Sequence, residues 1–504
     1  MSDSLGTIIS TEDSPSTSDC RFVIKSKTVK KGQYVTINSH NLVLFGMVVE
    51  IYKANRYFER AESVASFEKA SSIKSHFPSD SWEYIVAHVK ILGSFRDTRF
   101  ERVFEPPSPG LDVFEAQSDV LKSFLGFDEK GLHLGSIEHH ETPAKVSLTR
   151  LLQKHLAILA MSGAGKSHLS SVILEELFSR NKEDGRIAVI IVDIHGEYIG
   201  FAHDPVYGKS VSIIDGEEIS VPLRKISPET MMEWLPDLSA AQRDVLRSSL
   251  SSLKGAKKDA AGYGMKDLFA SVENDVSSSK DEVKRALKRG LSELRRYKFL
   301  SNKKDSPSLI NDISPGKMTI LDFSTIDSLR KKQILVAMIA RRLFHLRKRG
   351  KIPPFLLLIE EAHNFAREKA EERDAVSRSI IETIAREGRK FGASLCLISQ
   401  RPVNLSTTAL SQCNTHIILR VTNPNDLDHI QKSSEGIDSR VVKSITSLKV
   451  GEAIIVGEAV NYPVFVSVRD RKSIKREKGA PLHQQAIEFE AKREKREKGA
   501  EAFI

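Results

Sequence analysis

The stretch AILAMSGAGKSHLSSVI, residues 157–173, constrains the fold of this 504-residue chain more than any other segment. An apolar run leads into a glycine-containing turn, and an amphipathic, helix-like segment follows it. The turn matches the pattern G-x-x-x-x-G-K-[ST], except that Ala160 replaces the first glycine. Because a strand precedes this turn and a helix follows it, the sequence predicts a phosphate-binding loop in an α/β fold.

The predicted nucleotide contacts lie in the turn and at the start of the helix. Glycines allow the backbone N–H groups to turn toward phosphates. Lys166 would reach the β- and γ-phosphates, and Ser167 would ligate Mg²⁺. ATP and Mg²⁺ are therefore the predicted cofactors, and the predicted contacts in this segment are Ser162, Gly163, Ala164, Gly165, Lys166, Ser167 and His168.

A second motif, FLLLIEEAHNF, places two carboxylates directly after a buried apolar strand. Burying a charge is costly unless a counter-charge offsets it, and a magnesium ion with a polarised water does so. Glu360 is predicted to hold the metal through water, and Glu361 to activate the attacking water. The alternative is an acidic first turn of a helix, which favours the helix dipole.

A third motif, IAREGRKFGASLCLISQRP, contains a strand that ends at Gln400. The Gln400 amide is predicted to sense the γ-phosphate. Arg386 and Arg389, which precede the strand, are candidates for an arginine finger that reaches a neighbouring subunit's γ-phosphate. A solvated basic helix end remains the alternative for this pair. In VIIVDIHGEYIG, Asp193 and Glu197 are expected at the same carboxyl edge of the sheet.

The pattern of apolar runs and breaks divides the chain into two folded parts. Short β-rich runs predict a small barrel or sandwich, and near-continuous apolar strands alternating with helices predict a mostly parallel sheet covered on both faces. Residues 251–305 are helical in pattern and contain 14 Lys or Arg and 8 Asp or Glu. The predicted segments are a disordered tail (1–19), a β-barrel (20–110), an ATPase core in two parts (111–221 and 306–470), a helical basic insertion (222–305) and a basic C-terminal extension (471–504).

Charge and cysteine content restrict the class of protein. The net charge of +10 favours an anionic partner. The three cysteines fit neither a disulfide framework nor a zinc site, and core packing is expected for Cys396 and Cys413. Apolar runs are shorter than the ~18 residues that a membrane-spanning helix needs. The prediction is a soluble, cytoplasmic protein without a membrane partner.

The order of five motifs, HLAILAMSGAGKS, VDIHGEY, LLLIEEAHNF, IAREGRKFG and ISQRP, resembles the archaeal HerA family of HerA–FtsK ring-shaped DNA translocases. The resemblance implies a RecA-like P-loop ATPase core that follows a small β-barrel. It also implies a homo-hexamer that threads duplex DNA through a central channel, with sequence-independent phosphate contacts. The partners it implies are a NurA-type nuclease and the Mre11–Rad50 pair in DNA end resection. By the same resemblance, Lys154 would contact nucleotide, and Tyr462 or Phe465 would border the adenine.

Two other functions remain open at this point. A ring ATPase that remodels proteins would use the barrel to recruit a polypeptide, although the positive insertion argues against it. An ATP-gated scaffold would only position a nuclease, although a paired carboxylate and Gln400 argue against a protein that does not hydrolyse ATP.

Overall fold

The computed structural model describes residues 3–11, 14–25, 29–39, 42–55, 83–96, 99–256, 262–276, 281–302, 313–368, 375–434, 437–475 and 482–501. Among these residues no helix is both long and apolar enough to cross a membrane. Two sheets contain most of the strands. The first sheet has a buried apolar cluster of its own, and its residues Tyr34 and Phe45 also join a cluster of the second sheet.

The first sheet is a closed antiparallel barrel. Its strand order is β2-β1-β7-β3-β4-β5, and the pairing of β2 with β5 closes the ring, while β6 extends β5. Closure removes the exposed edges that an open sheet would present. The strands are β1 (Gly6–Ile9), β2 (Asp19–Ile24), β3 (Tyr34–Ser39), β4 (Leu42–Asn55), β5 (Glu83–Arg96), β6 (Arg99–Glu101) and β7 (Asp112–Glu115).

The predicted disordered tail is wrong where β1 lies. Leu5 and Ile8 are buried, and β1 pairs with both β2 and β7. Strands β1 and β7 are four residues each, too short to show a clear alternation in sequence, and both lie outside the predicted barrel range. The barrel itself, which the sequence predicts only as a barrel or sandwich, is confirmed.

The second sheet contains the strand that precedes the predicted phosphate loop. Its eleven described strands follow the order β12-β15-β11-β16-β17-β10-β18-β19-β20-β8-β9. The first seven in this order are parallel, and the last four continue the sheet as antiparallel strands. The strands are β8 (Leu132–Ile137), β9 (Pro143–Val146), β10 (Leu156–Leu159), β11 (Ala188–Asp193), β12 (Val211–Asp215), β15 (Met318–Asp322), β16 (Phe355–Ile359), β17 (Ala393–Ser399), β18 (Thr415–Ile418), β19 (Glu452–Gly457) and β20 (Val464–Val468).

Helices cover both faces of this sheet, which explains why its central strands are buried at every position and mostly apolar. Side chains of Ser227, Ser328 and Asn423 accept hydrogen bonds from the first-turn N–H groups of three of these helices. The helices of the described chain are α1 (Ser118–Leu125), α2 (Leu148–Leu152), α3 (Lys166–Phe178), α4 (Pro228–Trp234), α5 (Ala240–Ala256), α6 (Met265–Glu273), α7 (Asp281–Arg296), α8 (Leu329–Lys348), α9 (Arg378–Glu387), α10 (Thr407–Ser411), α11 (Pro424–Ser433), α12 (Ser439–Ser447) and α13 (Leu482–Glu501).

The predicted helical insertion forms a small bundle of α4 to α7. Leu287, Leu291 and Leu294 bury one face of α7 against the core, and the opposite face of α7 carries its exposed arginines. A short parallel pair, β13 (Val221–Pro222) with β14 (Leu300–Ser301), closes the base of the bundle. The chain therefore enters and leaves the bundle at nearly the same point.

The chain after β20 is tied to the helix that follows the predicted phosphate loop. We call residues 469–474 the strap. Glu175 on α3 is fully buried and accepts hydrogen bonds from Arg469 (2.8 Å), from the N–H groups of Lys472 and Ser473 (2.8 Å each) and from the Ser473 hydroxyl (2.6 Å). Burial alone raises the pKa of Glu175, but the bonds from Ser473 and Arg469 hold that pKa below its usual value.

Candidate active site

The predicted phosphate loop lies between β10 and α3, at the carboxyl edge of the parallel strands. Gly163 and Gly165 have φ values of +79° and +104°, which only glycine adopts without strain. A Cβ at Gly163 would meet nothing within 4 Å, so the loop is open on that side. The thirteen-residue helix α3 begins at Lys166 and directs its N-terminus at the loop. This is the geometry that holds phosphate in P-loop proteins.

Glu361 is the point on which the other predicted groups converge. Its side chain is 3% exposed, and its Oε1 binds both the Lys166 ammonium and the Gln400 amide. Lys166 follows β10, Glu361 follows β16, and Gln400 follows β17. Three segments that are distant in sequence therefore meet because parallel strands bring their carboxyl ends to one edge.

Glu360, the other carboxylate of the pair, lies in an acidic and fully buried position. Its Oε2 accepts a hydrogen bond from the Ile194 N–H at 3.1 Å, and its Oε1 has no hydrogen-bond partner in the described chain. Burial, with the nearby charges of Asp193 and Glu197, raises the pKa of Glu360 to about 9. Asp193 is buried too, and desolvation raises its pKa although the N–H groups of Tyr198 and Glu197 bind it.

These groups fit a magnesium ion. The unpaired buried oxygen of Glu360 and the excess of negative charge are what a divalent cation would offset. The Ser167 hydroxyl lies beside this cluster and hydrogen-bonds Glu197. No group of three or more His, Cys, Asp or Glu side chains in the described ranges could hold a metal alone. Magnesium in nucleotide sites takes one or two protein ligands and completes its shell with phosphate and water, so Ser167 and Glu360 suffice.

His363 is a neighbour of Glu361 that the sequence analysis missed. Its Nδ1 lies 3.4 Å from Glu361 Oε2 and 3.1 Å from the Ser399 hydroxyl, which also accepts the Arg401 N–H at 3.0 Å. Burial lowers the pKa of His363, although Glu361 opposes that effect. The signal was its position two residues after Glu361, in the 3₁₀ turn Ala362–Asn364.

Arg386 and Arg389 lie at the opposite edge of the sheet. They precede β17 whereas Gln400 follows it, so the seven residues of β17 separate the two edges by ~20 Å. Both arginines are exposed. Lys154 lies at this edge too, because His155 binds the Ala385 carbonyl at 2.9 Å. The Lys154 ammonium pairs with Glu458 at 2.7 Å. The structure does not bring Lys154 to the phosphate loop of its own chain.

The remaining predicted contacts divide between the loop and other parts of the fold. Ser162 is exposed in the loop, Ala164 is buried beneath it, and the His168 ring binds the Arg469 carbonyl at 2.8 Å. Tyr462 lies at the junction with the barrel, where its hydroxyl donates to the Leu92 carbonyl at 2.8 Å and its ring stacks on Phe124. Phe465, on β20, packs against the apolar core. These positions place the two aromatic rings in packing contacts.

Comparison with known proteins finds related helicases. The family model described as "Helicase HerA, central domain" matches residues 132–343. A probable helicase of Methanocaldococcus jannaschii is 30% identical, over 87% of this chain and 86% of the relative. The DNA double-strand break repair helicase HerA of Pyrococcus furiosus is also 30% identical, over 81% of this chain and 84% of the relative.

Two solved structures share the fold at low sequence identity. VirB4 of Thermoanaerobacter pseudethanolicus has a TM-score of 0.54 at 16% identity, over 68% of this chain and 98% of that one. The plasmid coupling protein TrwB, in complex with the ATP analogue ADPNP, has a TM-score of 0.50 at 13% identity, over 72% and 95%. The predicted fold class, a RecA-like P-loop core with a helical insertion after a small barrel, is confirmed.

The raised pKa of Glu360 generates a prediction about stability. A carboxyl group with a pKa of 4.5 when unfolded and about 9 when folded binds a proton on folding throughout that interval, so its contribution falls as the pH rises. Glutamine mimics the neutral acid. We expect Glu360→Gln to unfold at a higher temperature than the wild type, by a margin that grows from about pH 5 to pH 9. Thermal melts at several pH values, without added nucleotide or metal, measure that margin; a margin independent of pH contradicts the assignment.

Proposed function

This chain belongs to the HerA helicase family, and we propose that it is an ATPase that drives DNA translocation as a ring of identical subunits. The observation that carries the proposal is the convergence of Lys166 and Gln400 on the buried Glu361, beside an open phosphate loop. The relatives named as double-strand break repair helicases support DNA as the substrate.

Each of these groups has a distinct part in hydrolysis. The loop N–H groups and Lys166 bind the phosphates, and Glu361 accepts a proton from the attacking water. Gln400 orients that water or the γ-phosphate, and His363 lies 3.4 Å from the second oxygen of Glu361. Magnesium, held by Ser167 and Glu360, supplies positive charge to the phosphate oxygens when it is bound.

Replacing the base tests the chemistry directly. We expect Glu361→Gln to reduce ATP turnover by ~10²-fold or more, since general-base catalysis contributes about that much. Lys166→Ala should abolish nucleotide binding as well. The matched control is Glu50→Gln, which changes an exposed carboxylate of the barrel.

Turnover is measured with and without linear duplex DNA, and an ATPase rate that DNA does not change contradicts a DNA translocase. Stimulation by an unfolded polypeptide instead would support a protein-remodelling ring, and turnover too slow for motion would support a scaffold.

The two edges of the sheet support a ring. The carboxyl edge contains the loop and its acidic residues, whereas the amino edge presents Lys154, Arg386 and Arg389. Head-to-tail contact between identical subunits joins one edge to the other and closes into a ring when the rotation allows it. Each site would then combine one subunit's loop with its neighbour's cations, which stabilise charge on the transferred phosphoryl group.

Mixed rings test this arrangement. Arg386→Ala/Arg389→Ala should reduce ATP turnover by ~10³-fold, the usual contribution of an arginine finger. Co-assembly of this variant with Lys166→Ala subunits should restore activity, because in about one quarter of interfaces an intact loop meets intact arginines. The measurement is ATPase rate against the mixing ratio, beside the mass of the assembly. If both variants are inactive and every mixture of the two is inactive as well, the site is not shared between subunits.

The insertion provides a surface for DNA phosphates. Arg285, Arg289 and Arg296 are exposed and recur every four to seven residues along α7, so they share one face of the helix. The more inward Lys284 and Lys288 are occupied, since both bind Glu273 on α6. A helix face that carries three exposed arginines matches a polyanion with regularly spaced charges and reads no base sequence.

Salt dependence tests this surface. Replacing the three arginines with glutamine should weaken binding of duplex DNA and lower the slope of log Kd against log salt by about 3, since each phosphate contact contributes ~0.9. The control removes the same number of charges from the barrel by replacing Lys25, Lys31 and Lys53 with glutamine. Equal slopes for the α7 variant and the wild type would place the DNA elsewhere.

Action at DNA ends with a NurA-type nuclease, and with Mre11–Rad50, is the finer part of the proposal. It rests on the family and on the named relatives. The closed barrel, which stands apart from the ATPase site, offers a separate surface for such a partner.

A further inference from the structure

The direction in which a nucleotide lies on the loop follows from the position of Glu361. Glu361 and Gln400 come from β16 and β17, on one side of β10. The γ-phosphate must face Glu361 for the attacking water to be activated. The α-phosphate, the ribose and the base therefore leave the loop on the other side, where β18, β19 and β20 lie.

A tight turn stands on that side, in contact with the loop. Residues 449–451 precede β19, and a Cβ placed on Gly165 would lie 3.6 Å from the Gly451 nitrogen. Gly451 has a φ of +89°, and its carbonyl accepts the Val468 N–H at 2.8 Å. The Lys449 N–H donates to the Glu452 carboxylate at 2.8 Å. The turn is thus held at both ends.

This turn exposes an apolar side chain. Val450 is 69% exposed, although the chain on both sides of it is bonded to the sheet. An apolar side chain held out beside a phosphate loop loses water contact only when a ligand covers it. The strap lies next to the turn, because Arg469 follows Val468 and its carbonyl binds His168 on the first turn of α3.

We infer that Val450 is the platform on which the purine base of the nucleotide packs, with His168 and the first residues of the strap as the adjoining wall. The inference rests on the proposed ATPase function and adds to it the residue that recognises the base. The contact is apolar and covers one face of the ring. The site therefore binds ATP and GTP with similar affinity, and it depends on the phosphate loop for the remainder of the binding energy.

Comparing a nucleotide with its phosphate chain alone tests the platform. The probes are ATPγS and inorganic tripolyphosphate, each with Mg²⁺, and calorimetry on the full-length protein gives Kd. Val450→Ser should raise the Kd of ATPγS by about tenfold, since it removes most of an apolar contact without adding a charge beside the phosphates. The Kd of tripolyphosphate should change less than twofold, because this ligand has no base. Val450→Ile should retain the affinity of the wild type for both ligands.

The control variant and the contrary outcomes separate this inference from the proposed function. Val276→Ser changes another exposed valine, 96% exposed in the insertion, and should leave both Kd values unchanged. Equal effects of Val450→Ser on the two probes, with an unchanged melting temperature, overturn the platform and leave the ATPase intact. Absence of binding of either probe to the wild type overturns the proposed function itself. A tenfold preference of the wild type for ATPγS over GTPγS overturns the apolar mode of recognition.

Discussion

The buried carboxylate of Glu361 is held by contacts between residues that follow three strands from distant parts of the chain. Lys166 binds it across 195 residues of sequence, and Gln400 across 39. Its backbone lies in the left-handed region, with a φ of +47°, which is unfavourable for a residue with a Cβ. Both the burial of the charge and the backbone strain raise the free energy of the fold, and the lysine and amide contacts offset that cost. The surrounding sheet holds the Glu361 carboxylate in place before any ligand binds.

The polarity of a parallel sheet explains why charge differs so strongly between its two edges. At the carboxyl edge, Asp193 and Asp322 end their strands, and Glu360 and Gln400 follow theirs. At the amino edge, Lys154 precedes β10, and Arg386 and Arg389 precede β17. The two edges cannot meet within one chain, because the length of β17 separates them. The proposed ring would bring one subunit's carboxyl edge against its neighbour's amino edge.

The motifs predicted which side chains meet at the phosphate loop, because each is a local pattern whose position a parallel sheet then determines. An apolar strand that ends in a carboxylate or an amide must present it at the carboxyl edge, so Glu361 and Gln400 could be placed from sequence. Other features depend on long-range pairing and leave no local signal. In the barrel, the short strands β1 and β7 link β2 to β3. In the second sheet, β8 joins by pairing Gly135 with Val468. The neighbours of His363 and Val450 are likewise supplied only by the folded chain.

The strap shows why composition misleads at the end of the core. Residues after 470 are rich in charge, which predicts an extension without a core of its own. Yet Glu175 lies fully buried beneath this segment and binds Arg469, Lys472 and Ser473, and Asp204 binds the Ile474 N–H at 2.8 Å. A buried carboxylate is costly unless its lone pairs are filled, so these contacts bind the strap to α3. Since α3 begins at the phosphate loop, the contacts of Glu175 connect the helix that carries that loop to the strap.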